Sequence, residues 1–311
     1  MDVGIALELY DLESGHPISI ADVAAASVRA EELGYASAWV MDHFWMERDG
    51  LRRGGHEPLT TLAYLAARTN RIALGTLVLC NSFRHPGQLA REAAAIADAS
   101  GGRFILGIGA GWSEAEYRAF DFPFDQRVAR LEESVEALRR LLHGGRSSLE
   151  GRYLKLRDAE VLRTAPPPPI WVGGGGPRML RLTARAADGW NLVWPGTDVE
   201  LFSRLLAQLR EEIAAAGRGP EDVTVSVGLL TLVADAAGRQ EVVRRASRAL
   251  GRDPDSRVVV GSVDELATLL DRYREAGADH VVLSTAPSPF ARFDESMMER
   301  AAHAVRLVAA R

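Results

Sequence analysis

Short apolar runs alternate along this chain with longer segments in which apolar residues return every third or fourth position. The runs predict buried strands, and the longer segments predict amphipathic helices. Strands are expected over Val3 to Leu7, Ala36 to Met41, Arg71 to Leu79, Arg103 to Ile108, Ile170 to Val172, Gly189 to Trp194, Val223 to Val233 and Asp279 to Ser284. Helices fall between them. One is capped by Ser19 and closed by Gly34, one opens at Pro58, and one covers Gly87 to Ser100. Others start at Pro177 and cover Val199 to Ala216, Gln240 to Leu250, Val263 to Gly277 and about Phe293 to Ala309. Strands alternating with helices are the pattern of βα units in a parallel sheet. About eight such units predict an α/β fold, the (β/α)8 TIM barrel. An open doubly wound sheet is the alternative. It would carry a glycine fingerprint after the first strand, where this chain has Leu7-Glu8-Leu9-Tyr10.

The rhythm breaks between residues 112 and 168. A long helix is expected from about Phe124 to Leu142, then a hairpin over Gly144 to Leu162 built on Tyr153, Leu154 and Leu156. Four prolines, Pro166 to Pro169, stiffen the return to the repeat. The stretch holds too little apolar sequence for its own core, so it reads as an insertion between strands four and five of one domain covering 1–311.

Composition narrows the classes. With 311 residues and 47% hydrophobic content the chain can bury a large core, and a net charge of −5 gives no basic surface for nucleic acid. The single cysteine, Cys80, excludes an internal disulfide and a multi-cysteine metal site, and is consistent with the cytoplasm. No apolar stretch is long enough to span a bilayer, and the start lacks the basic region of an export signal.

The most informative stretch is Pro169-Ile170-Trp171-Val172-Gly173-Gly174-Gly175-Gly176-Pro177-Arg178. A buried strand passes through bare glycine into a helix opened by proline. Backbone N–H groups can approach a ligand there, and the helix N-terminus attracts anions. This predicts a phosphate cradle, to which Arg178 could add a bidentate contact. It is neither a dinucleotide fingerprint nor a P-loop, since the sixth place is Arg178 and no Lys-Ser/Thr follows.

In a barrel, residues just past the strand ends share one face, and that face holds the site. Here they are Glu8, Tyr10, Asp42, His43, Leu77 to Asn81, Gly107 to Trp112, the glycine cradle, and Asn191 to Trp194. Adjacent residues of an extended segment point to opposite sides, so Asp42 would orient its loop while His43 faces the cavity. His43 is the candidate proton donor or acceptor, because its ordinary pKa lies near neutrality. His56 reads as a loop anchor and His85 as serving the helix that Pro86 opens. The histidines are scattered without metal-ligand spacing, Gly111-Trp112-Ser113-Glu114-Ala115 lacks the second glycine of a nucleophile elbow, and Cys80 reads as an inert buried thiol. A phosphate grip, an aromatic mouth (Phe44, Trp45, Trp112, Trp194) and one histidine suit a bound planar cofactor that carries the chemistry.

These residues resemble the bacterial luciferase-like flavin and deazaflavin oxidoreductases over essentially the whole chain. The resemblance is carried by Asp42-His43, Leu74-Gly75-Thr76, Arg84-His85-Pro86, Gly107-Ile108-Gly109-Ala110-Gly111-Trp112, Glu116-Tyr117, Arg127-x-x-Arg130-Leu131-Glu132-Glu133, and the cradle followed by Ala187-Asp188-Gly189-Trp190-Asn191. Within the family the chain looks most like the branch that uses the deazaflavin coenzyme F420. FMN, in a monooxygenase supplied with reduced flavin, is the alternative, and a barrel that binds the cofactor without turnover is a third reading. The resemblance implies that Gly173, Gly174, Gly175 and Gly176, with Arg178, hold the cofactor phosphate. The ring would then lie near Asp42, His43, Cys80, Gly109, Gly111 and Trp112. A non-prolyl cis peptide is implied at Leu77-Val78, against the back of the ring. Sugar-phosphate dehydrogenases of this branch place an acidic residue directly after the glycines of the fourth strand, where this chain has Trp112. Their substrate and acid–base scheme therefore do not carry over, and Trp112 and Trp194 instead suggest an apolar or aromatic organic substrate; members of the family commonly form homodimers through barrel helices.

Overall fold

A strand covered on both faces needs an apolar residue at nearly every position, and an outer helix needs one apolar stripe. The computed structural model describes residues 1–9, 18–48, 51–288 and 296–310. In chain order its strands are β1 (Asp2–Ala6), β2 (Ser37–Val40), β3 (Met46–Arg48), β4 (Leu51–Arg53), β5 (Ala73–Thr76), β6 (Leu79–Cys80), β7 (Phe104–Gly109), β8 (Ser147–Glu150), β9 (Lys155–Ala159), β10 (Ile170–Gly173), β11 (Gly189–Val193), β12 (Thr224–Val233), β13 (Val258–Gly261) and β14 (His280–Ser284). Its helices are α1 (Ile20–Leu33), α2 (Pro58–Ala66), α3 (Pro86–Ala99), α4 (Glu114–Ala119), α5 (Arg127–His143), α6 (Pro177–Ala186), α7 (Val199–Ala215), α8 (Arg239–Leu250), α9 (Val263–Glu275) and α10 (Ser296–Ala309).

Eight strands close into a parallel barrel in the order β1, β2, β5, β7, β10, β11, β12, β14, and β14 returns to β1. This is the (β/α)8 barrel that the sequence predicts. Three additions went unread: β13, which extends the sheet beside the end of β12; the hairpin β3–β4 inside the connection from Phe44 to Glu57; and the short helix α4. Tyr10, the loop to Pro17, and Phe293 at the expected start of the last helix lie outside the described residues.

The caps follow from side-chain chemistry. Ser19 accepts the Asp22 N–H, Gly34 closes α1 with φ 89°, and Ser262 with Glu265 forms a reciprocal capping box at the start of α9. His85 caps α3 through Nδ1, and His56 Nε2 bonds the Ile18 carbonyl at 2.8 Å, the structural roles expected of both.

Below the C-terminal mouth the interior is filled by aromatic rings. Trp39 and Trp171 have centroids 5.2 Å apart, and each lies 5.5 Å from His280. Neighbouring strands make room for the two indoles with glycine, since a methyl at Gly75 would collide with Trp39 and one at Gly189 with Trp171. The segment from 112 to 168 leaves after β7 and returns in β10. Leu131, Val135, Leu138 and Leu142 of α5, with Leu154 and Leu156 of the β8–β9 hairpin, join the same buried cluster as the barrel strands.

Candidate active site

The ends of β2, β5, β7, β10 and β11 meet α4 around a cleft of about 370 Å³. That is within the usual range for small-molecule sites. Asp42, His43, Leu77, Val78, Cys80, Gly109, Gly111, Trp112 and Gly173 to Gly176 all line it. The two remote stretches singled out in the sequence, the Asp42-His43 pair and the polyglycine turn, therefore open onto one space.

His43 and Asp42 diverge as an extended chain requires. His43 Nδ1 meets Glu116 Oε2 at 2.7 Å, and its ring packs edge-on to Trp112 with centroids 5.4 Å apart. Glu116 is 1% exposed, and its other oxygen accepts the Phe44 N–H at 2.6 Å. Burial alone would raise this carboxyl, but the hydrogen bonds from His43, Ser113 and the Phe44 N–H outweigh it and hold the group below its ordinary value. A carboxylate partner on Nδ1 fixes the ring's orientation. The His43 ring lines the cleft.

Asp42 faces the scaffold. Its Oδ2 accepts the Cys80 N–H at 2.9 Å and Arg84 at 2.6 Å, and its Oδ1 accepts Arg84 at 3.1 Å. Arg84 also reaches Glu57 at 2.7 Å, so the loop after β2, the turn after β5 and the start of α2 are tied by one guanidinium. The peptide between Leu77 and Val78 is cis, as the resemblance implies. Val78 is flanked by bare backbone, because a methyl at Gly109 would stand 2.8 Å from it and one at Gly173 3.0 Å. Cys80 Sγ lies 3.0 Å from the Tyr117 hydroxyl, and burial pushes its thiol up to about 12, which makes it the inert thiol expected. Gly111 has φ 74° and is wedged against Tyr117 and Cys80, so only glycine fits there.

The cradle is held from behind. Gly174 takes φ 137°, donates its N–H to the Asn191 carbonyl at 3.0 Å, and accepts the Trp190 indole N–H at 2.8 Å. Gly176 caps α6 without a side chain, Pro177 opens the helix, and a methyl built on Gly176 would meet nothing within 4 Å. The N-terminus of α6, whose first N–H groups lack helical partners, thus begins beside bare backbone that lines the cleft, a setting that favours an anion. A planar ring with a phosphate arm fits this donor set.

Arg178 does not join. Its guanidinium pairs with Glu132 of α5 at 2.6 Å and lines a neighbouring groove, not the cleft. The residue that sequence reasoning missed is Glu116. Its signal was present in the Glu116-Tyr117 motif, but only the fold brings it to His43. Among the described residues no His/Cys/Asp/Glu cluster could hold a metal, and no helix is long and apolar enough to cross a membrane.

Fold and cleft together define a class, the closed (β/α)8 barrel whose mouth joins an anion cradle to a histidine–carboxylate pair. Within that class the chain belongs to the luciferase-like monooxygenase family, whose model matches residues 4–254. It is 32% identical over 294 residues to an F420-dependent glucose-6-phosphate dehydrogenase of Amycolatopsis mediterranei, covering 84% of this chain and 87% of the relative. It is 37% identical over 237 residues to the enzyme of that name from Kineococcus radiotolerans, covering 73% and 68%. Among solved structures, a monooxygenase from Streptomyces bottropensis superposes with a TM-score of 0.79 at 27% identity, over 100% of this chain and 98% of that one. An F420-dependent secondary alcohol dehydrogenase carrying an F420–acetone adduct superposes with a TM-score of 0.80, over 99% and 98%, and at 19% identity shares the fold.

Proposed function

We propose that the protein is an oxidoreductase that moves a hydride between coenzyme F420 and a small organic substrate with an apolar or aromatic body. One observation carries the reading: the His43–Glu116 pair and the glycine cradle open into the same cleft. The names of the relatives at 32% and 37% identity support F420 as the cofactor. When bound, F420 supplies a ring carbon that accepts or donates a hydride as an electron pair.

The chain's own residues supply the rest. Gly173 to Gly176 and the first turn of α6 hold the phosphate through backbone N–H groups, and the glycine-flanked Val78 gives the ring a flat wall. His43 exchanges a proton with a substrate oxygen, while Glu116 keeps the imidazole oriented. Trp112, 61% exposed, and Trp194 give the mouth an aromatic rim. Among the described residues, none that lines the cleft itself is lysine or arginine, while Arg252 and Arg257 line the adjoining groove that shares Trp112, Val193 and Trp194 with it. The same proposal includes 112–168 as an insertion within a single barrel domain, a homodimer through barrel helices, and a cytoplasmic setting.

A second reading, an FMN-dependent monooxygenase, draws on the 27% identical neighbour. Titrating the purified protein with oxidised F420 and, separately, with FMN divides the two. F420 is expected to bind with a change in its absorbance and FMN to bind far more weakly. FMN binding with no F420 affinity would reject the proposal.

A further inference from the structure

A line of buried polar groups runs through the barrel interior beneath the cleft. At its upper end Asn191, at the middle of β11, lies beside the cradle, where it pairs with Gly173 and its carbonyl accepts the Gly174 N–H. The residue is 1% exposed and lines the cleft. One atom of its amide stands 2.9 Å from Ser226 Oγ, and the other has no protein partner. Ser226 Oγ lies 3.4 Å from His280 Nδ1, and His280 Nε2 lies 2.8 Å from Ser37 Oγ. The line ends on Trp39, whose Nε1–H donates to Ser37 Oγ at 2.7 Å.

Proton counting gives this line a direction. An indole N–H can only donate, so Ser37 accepts from Trp39 and must place its own proton elsewhere. Among the described residues the acceptor within reach is His280 Nε2. Burial brings the His280 pKa down to about 4, so the ring is neutral near pH 7 and carries one proton. That proton then sits on Nδ1 and faces Ser226. Having accepted it, Ser226 donates to Asn191, where only the amide oxygen can receive. The oxygen and nitrogen of an amide occupy equivalent positions, and the network decides between them. With nitrogen against Ser226, one of the two buried hydroxyls would keep a proton with no acceptor, which is costly in a dry interior. With oxygen there, every hydroxyl both gives and receives.

We propose that Asn191 presents its amide N–H groups at the inner end of the cleft, as a fixed donor to the acceptor edge of the bound cofactor's pyrimidine ring. This rests on the F420 reading given above. Hydride uptake places negative charge on that nitrogen–carbonyl edge, and a donor held there favours the reduced form. The line behind, anchored on Trp39, keeps the amide from turning over. Asn191 therefore reads the oxidation state of the ring, beyond holding it in place.

The test is the affinity of the whole protein for oxidised and for chemically reduced F420, in the wild type and in Asn191→Ala, Asn191→Asp and Ser226→Ala. Thermal unfolding of each variant without cofactor serves as the folding control. Asn191→Ala is expected to weaken reduced F420 by roughly tenfold more than oxidised F420. Asn191→Asp, which sets an acceptor where the donor stood, should weaken the reduced form further, and Ser226→Ala should give a smaller loss of the same kind. Reduced F420 binding Asn191→Asp as tightly as wild type would overturn the proposal, because the atom facing the cleft would then be an acceptor. Equal losses for both oxidation states in Asn191→Ala, or none, would overturn it too. Should Asn191→Asp not fold, the Asn191→Ala ratio decides. A wild type that binds FMN and not F420 refutes the cofactor reading alone, since the two share the pyrimidine edge and the same variants can be measured with FMN. Binding of neither defeats both.

Discussion

Asp42 and His43 are neighbours in the chain, yet one serves the scaffold and the other serves the cleft. Asp42 spends both oxygens on the Cys80 N–H and Arg84, so it fixes where the β5 turn and the start of α2 lie. His43 sets Nδ1 against Glu116 and lines the cavity. A buried carboxylate appears on each side. On one it is closed by an arginine whose charge does not change, and on the other it meets an imidazole whose charge can. The same residue class gives rigidity in the first case and proton traffic in the second.

The largest effect should come from the cleft side. His43→Ala is expected to slow turnover of a responsive substrate by about 10²- to 10⁴-fold while leaving F420 affinity nearly unchanged, measured by single-turnover absorbance and by titration. Undiminished turnover would remove the proton role and favour a barrel that binds its cofactor without using it. On the scaffold side, Arg84→Ala leaves Asp42 buried and uncompensated. It should cost about 3–5 kcal/mol in denaturant unfolding. A loss below about 1 kcal/mol would mean that water reaches the carboxylate and that the two sides differ less than their geometry suggests.

Acid sharpens the contrast. Glu116 is held below its ordinary value, so the stability it contributes is complete above its unfolded pKa, about 4.3, and is lost as pH falls through the folded value. His280 acts earlier: its folded pKa of about 4 lies below its unfolded value, so the unfolded chain takes up that proton first, and stability falls between about pH 6.5 and 4. Glu116→Gln should flatten only the lower limb of the unfolding–pH curve and slow turnover by about 10²-fold. Loss of the upper limb instead would put the acid response on the wrong residue. The smallest effect is expected at Arg178, which is half exposed and paired with Glu132. Arg178→Ala should change F420 affinity less than threefold and stability by no more than about 1 kcal/mol.

The strands were readable because parallel strands covered on both faces are apolar runs, and Ile170 to Val172 or Val281 to Leu283 have no other use for such residues. What escaped was short or exposed. Glu47 puts an exposed charge in β3, α4 spans too little sequence for a period to show, and Val258 to Gly261 went unassigned between two helices. In the site, the glycines were legible because bare backbone states its purpose locally. Glu116 was not, since it lies 73 positions from its partner and nothing in the local sequence says which way it turns. The direction of Arg178 was hidden for the same reason, because its guanidinium pairs with Glu132, 46 positions earlier.

Trp190 joins the polyglycine turn to the far half of the molecule. Its indole holds the Gly174 carbonyl, its ring stacks on Phe202 with centroids 5.9 Å apart, Phe202 meets Tyr273 at 5.4 Å, and the Tyr273 hydroxyl bonds the Gly196 carbonyl at 2.9 Å. Any anion that settles into the turn is thereby coupled to α7 and α9, so its occupancy should be felt as tighter amide protection in helices that never touch it.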